Sequence, residues 1–113
     1  MAVTSFEVST YDVRLARQLE TQADGHLVRF NASITCRGSE YTLQIYFLTD
    51  SSFVPNNAYY PNQKRGTMFL PQDQFSRYID LLRNEAPLYC FLSSSYPNQI
   101  GIYSGSEQVG EAE

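Results

Sequence analysis

One histidine, two cysteines and an excess of tyrosine are the features of this 113-residue chain with the chemistry for catalysis or recognition. His26 follows Gly25 at the head of an apolar run. A lone histidine cannot build a multi-histidine zinc centre. Cys36 and Cys90 are too far apart in sequence for the short ligand spacings such centres use. Nucleophilic catalysis needs a nucleophile, a base and a group that orients the base. The chain has no nucleophile elbow, no Cys–His signature and no glycine loop able to cradle a phosphate. Asp73 and Asp80 are paired carboxylates only in the sense of two acids on the solvated side of one helix. The sequence therefore indicates no catalytic residues, no metal and no cofactor, and reads as non-enzymatic.

The tyrosines say more. Nine Tyr and seven Phe occur without any Trp, so the large amphipathic rings available for contacts are phenols. Tyrosine offers wide contact area at low entropic cost and is enriched where proteins touch. Tyr46 and Tyr103 fall on the polar side of strand-like segments. Tyr59 and Tyr60 stand beside Lys64 and Arg65 in a stretch without periodicity. These six residues, Tyr46, Tyr59, Tyr60, Lys64, Arg65 and Tyr103, are the expected partner-binding set. Aromatics interleaved with bases also suit single-stranded nucleic acid, which is the alternative reading. A net charge of −4 opposes it, and opposes duplex DNA and anionic membranes more strongly.

The elements that must position these residues follow from period and punctuation. Thr4, Phe6 and Val8 alternate with polar residues and suggest a short first strand. Ser9 and Asp12 have capping-box spacing, Tyr11, Leu15 and Leu19 repeat every four residues, and Asp24-Gly25 resembles a helix stop. This predicts a helix over 10–23. Val28, Phe30, Ala32, Ile34 and Cys36 then alternate with polar residues without a break, and Tyr41, Leu43, Ile45 and Phe47 resume the pattern. A two-residue turn at Gly38-Ser39, with glycine supplying positive φ, would pair Cys36 with Tyr41 and Ile34 with Leu43.

Residues 50–67 lack a period, and a connection that long in a small domain is often functional. Met68 to Leu70 reads as a short strand. Pro71 opens a second helix over 71–85, with Phe75, Tyr78, Ile79 and Leu82 on one side and Pro87 beyond its end. Leu88 to Leu92 is an unbroken apolar run suited to a central strand, and Ile100 and Ile102 mark a last one.

The predicted fold is α+β: an antiparallel sheet of four to five strands with two helices on one face. Residues 1–106 form a single domain and 107–113 an acidic tail. Both cysteines sit in apolar runs and read as buried thiols. Without a basic start and apolar stretch near Met1, and without a membrane-length apolar segment, the chain reads as cytoplasmic. The function expected is a non-catalytic protein–protein interaction domain, working on a protein partner or on itself as a homodimer, through a Tyr-rich sheet face and the 50–67 loop.

Overall fold

Asp24 and Gly25 both adopt positive φ, 52° and 75°, and Ala23 pairs directly with His26 across them. Positive φ at both central residues is the requirement of a type I′ hairpin turn, which Asp-Gly meets better than most dipeptides. The dipeptide therefore ends no helix; it joins two long strands. In the computed structural model, which describes residues 2–50 and 52–105, the segment expected as a helix over 10–23 is the strand β2 (Thr10–Ala23), antiparallel to β3 (His26–Arg37).

The four-residue spacing of Leu15 and Leu19 has a strand explanation. Leu15 pairs with Ala32 and Leu19 with Phe30, so three residues of β2 bulge opposite Asn31 alone. On its other side β3 pairs with β4 (Thr42–Leu48), and Asn31 is again the surplus residue, lying between the Phe30–Leu48 and Ala32–Phe47 pairs. A bulge of one residue reverses which face the following side chains occupy. Ala32, Ile34 and Cys36 thus join the main core, while Val28 and Phe30 turn to the opposite side and cluster with Leu48 and Phe69. The unbroken alternation in the sequence is divided between two faces.

The β3–β4 hairpin forms where expected but in a different register. Cys36 pairs with Leu43 and Arg37 with Thr42, leaving Gly38 to Tyr41 as the loop. A slip of two residues preserves the face of every side chain, which is why the pattern of the strands was right and their pairing was not. Gly38 does not use positive φ. A Cβ there would lie 2.6 Å from the Phe6 ring and 2.8 Å from the Glu7 carbonyl oxygen, so glycine is required for space.

The rest of the five-stranded sheet comes from β5 (Ala58–Tyr60) and β6 (Arg65–Pro71), giving the order β2-β3-β4-β6-β5. The pairing of β4 with β6 is parallel, against the expectation of a purely antiparallel sheet. A second sheet, order β1-β7-β8, is built from β1 (Val3–Glu7), β7 (Leu88–Ser93) and β8 (Gly101–Ser104), all antiparallel. The chain crosses between sheets at Val8 and Ser9, whose amides donate to the carbonyls of Leu88 and Arg37 respectively.

The predicted architecture of two helices on one sheet is therefore replaced by two sheets and one α-helix among the described residues. That helix, α1 (Phe75–Asn84), follows a short 3-10 turn at Gln72–Gln74 inside the span expected. Phe75, Tyr78, Ile79 and Leu82 all reach the core, and Phe75 and Tyr78 meet Phe47 edge-on at 5.2 and 5.9 Å. The core lies between the sheets: Ile34, Cys36, Leu43, Ile45 and Phe47 face Cys90 and Leu92, all without appreciable exposure. Close packing of the layers needs Gly66 in β6, where a Cβ would come within 2.5 Å of Leu92. No helix among the described residues is long and apolar enough to cross a membrane. The acidic tail expected at 107–113 lies outside the described residues.

Candidate functional site

One face of the five-stranded sheet carries the second sheet and α1. The other carries neither, and on it Phe30, turned there by the bulge at Asn31, joins Tyr46 and Phe69, placed there by the alternation of β4 and β6. Tyr46, at the middle of central strand β4, packs edge-on against Phe30 at 4.8 Å and parallel to Phe69 at 5.2 Å. Phe30 and Phe69 are buried and Tyr46 is half-buried, so its ring forms the floor of the open surface.

Tyr46 separates two depressions. The first, about 390 Å³, is lined by Asp12, Arg14, Thr35 and Gln44 among others; the second, about 230 Å³, by Asp24, Asn57, Tyr60, Arg65 and Thr67 among others. Thr21 and Tyr46 border both, so together they form one trough. The hairpin tip closes one end, where the Asn56 amide donates to the Asp24 carboxylate at 2.9 Å and His26 packs on Phe53 at 4.5 Å. Asn57 holds the adjacent loop: its side-chain oxygen accepts from the Phe69 amide and its side-chain nitrogen donates to the Pro97 carbonyl, both at 3.0 Å. Hydroxyls, amides and a stacked aromatic floor equip the trough for hydrogen bonding and flat apolar contact.

The six residues singled out in the sequence are not brought together. Tyr46 is central to the trough. Tyr60 and Arg65 stand at its rim, with the guanidinium 5.4 Å above the Tyr60 ring. Tyr59, the neighbour of Tyr60 on β5, points the other way and is buried in the core, as strand alternation requires. Burial raises its phenol pKa, and the neighbouring Tyr41 phenol adds to the shift. Lys64 adopts a left-handed conformation and pairs with Glu40 at 2.5 Å, away from the trough. That hydrogen bond lowers the Glu40 carboxyl pKa and raises that of Lys64. Tyr103 lies on the outer face of the three-stranded sheet, stacked on Tyr89 at 5.4 Å, with the whole core between it and Tyr46.

The 50–67 segment is less of a free loop than its lack of period suggests. Pro55 and Tyr59 are buried, and residues 58–60 and 65–67 are strand. The trough residues missed in the sequence include Phe30, Phe69, Arg14 and Thr21. The signal that reveals Thr21 is Asp24-Gly25 read as a hairpin turn, since that places β2 beside β3; Phe30 needs the bulge, which no residue type announces.

Nothing among the described residues forms a cluster of three or more metal-ligating side chains. His26 is exposed at the hairpin tip, its Nδ1 2.8 Å from the Asp24 carbonyl. Cys36 and Cys90 are buried free thiols on facing sheets. The neighbouring Cys36 thiol, with burial, pushes the Cys90 thiol far above its ordinary pKa, so it is protonated and a poor nucleophile. The chain matches no family model, and neither curated proteins nor solved structures yield a match.

Proposed function

We propose that the protein is a non-catalytic interaction domain that holds a partner polypeptide in the Tyr46 trough. The observation that carries this reading is the Phe30–Tyr46–Phe69 stack on a sheet face that neither the second sheet nor α1 covers. A half-exposed tyrosine fixed between two buried rings is already immobilised, so a partner that covers it orders little further. The surrounding Thr21, Thr35, Gln44 and Asn57 supply donors and acceptors suited to peptide groups.

Charge supports a polypeptide over a nucleic acid. The trough is bordered by Arg14 and Arg65 but also by Asp12, Glu20 and Asp24. Such a mixture lacks the positive field that draws single strands and releases their counterions.

The test is capture from host-cell extract with wild-type and Tyr46→Ala chains in parallel, identification by mass spectrometry, and titration of the identified protein. Truncation of a central tyrosine is expected to weaken binding roughly ten- to a hundredfold. Equal binding by both chains would sink the reading. So would capture of nucleic acid whose retention falls steeply with salt.

A further inference from the structure

Among the described strands, the outer edge of β2 is the longest unpaired edge. The edge strands β5, β1 and β8 run three, five and four residues, whereas β2 runs fourteen. No described strand pairs with β2 on the side away from β3. Its first half, Thr10 to Leu15, is regular, with six consecutive residues in register with β3. On the core side of that half, Val13 and Leu15 are 41% and 68% exposed. On the other side are Asp12 and Arg14. A long, regular edge with exposed apolar side chains is a template for another strand.

We propose that the partner for this edge is the same edge of a second copy, in antiparallel pairing about a two-fold axis at Val13. The sequence Thr10-Tyr11-Asp12-Val13-Arg14-Leu15-Ala16 is complementary to itself in this register. Val13 meets Val13 of the other copy, Tyr11 meets Leu15, and Asp12 meets Arg14 twice, once on each side of the axis. Opposite charges directly across a ladder stabilise it and like charges oppose it.

Neighbouring registers fail. An axis at Asp12 or Arg14 sets identical charges face to face. An axis at Leu15 runs through the bulge and sets Val13 against Arg17. An axis at Tyr11 leaves Asp12 and Arg14 without opposite charges. The ion pair of Asp12 with Arg37 in its own chain is compatible with the arrangement, because a carboxylate accepts several donors.

Two five-stranded sheets joined in this way form one of ten strands. An axis perpendicular to the sheet keeps both Tyr46 troughs on the same side, with the Asp12 and Arg14 rims meeting between them. The inference stands apart from the polypeptide reading of the trough: Tyr46→Ala is expected to remain a dimer, and Val13 variants to be monomers.

The experiment is sedimentation or light scattering of the full chain over a series of micromolar concentrations. The wild-type mass is expected to be that of two chains. Val13→Asp, which sets two carboxylates face to face on the axis, is expected to halve it. Arg14→Asp is expected to raise the dimer dissociation constant at least about tenfold, and Asp12→Arg combined with Arg14→Asp to recover most of that loss, because the exchanged charges are again opposed. A monomeric wild type overturns the proposal. So does an Arg14→Asp chain that stays as dimeric as the wild type, or a double variant no more dimeric than Arg14→Asp alone. The double variant reports on register even if Val13→Asp fails to fold.

Discussion

The two faces of the five-stranded sheet are made from the same strands and have opposite fates. Toward the second sheet, Ile34, Leu43, Ile45 and Phe47 have no exposure, α1 completes the wall, and glycines stand where layers approach closest. Away from it, Val28, Phe30, Leu48 and Phe69 form a small cluster with Tyr46 half-exposed on top. On β3 one residue, Asn31, separates them. The contrast teaches that an apolar face need not be an enclosed core: a bulge can send part of a strand's apolar set to a surface, where it supports a ring without covering it.

The contrast is sharpest at paired truncations. Phe47→Ala removes a ring touched by both Phe75 and Tyr78 and leaves a cavity between rigid layers. We expect about 3–5 kcal/mol of lost stability in denaturant titration. A loss below about 1 kcal/mol would mean that the sheets do not enclose Phe47.

Gly38→Val tests the same face at its margin. A β-branched side chain must displace the Phe6 ring or the backbone at Glu7, at a cost of about 1–3 kcal/mol. Gly38→Ala should already be costly, since its Cβ makes the clash. A turn that needed glycine only for its φ would respond differently, and an Ala variant as stable as wild type would contradict the packing account.

Ile79→Ala should cost less than a fully enclosed site, about 1–2 kcal/mol, because Ile79 is half-buried at the rim of the helix contact. A cost equal to that of Phe47→Ala would place α1 deeper than observed.

The smallest stability effect is expected on the open face. Tyr46→Ala loses two ring contacts, about 1 kcal/mol, while its effect on binding is the larger one. If melting falls as far as for Phe47→Ala, the open face is core and the comparison breaks down.

Local pattern made several elements legible. The apolar residues of α1 lie where i, i+3, i+4 spacing puts them, because one helical face must be buried whatever it meets. The strands around Leu43 to Phe47 and Leu88 to Leu92 were readable from their apolar residues. So was the place of the β3–β4 hairpin, since a register slip of two leaves every face unchanged. Tyr46 was readable as a residue of the polar side for the same reason.

What the sequence by itself determined was which residues seek burial and where the chain can reverse. What only the tertiary structure decided was which surface buries them. Leu15 and Leu19 have a helix's spacing, but a strand with a bulge satisfies it equally, and the neighbouring strand β3 provided the hydrogen bonds that chose between them. Tyr59 and Tyr60 are equivalent in composition, yet β5 alternates, so one entered the core and the other the rim of the trough. Tyr46 and Tyr103 were both polar-side tyrosines, but the chain built two sheets instead of one, and the core now separates them. Periodicity reports a side chain's orientation relative to its own backbone. The partner on that side depends on contacts between residues distant in sequence, and no local pattern carries that information.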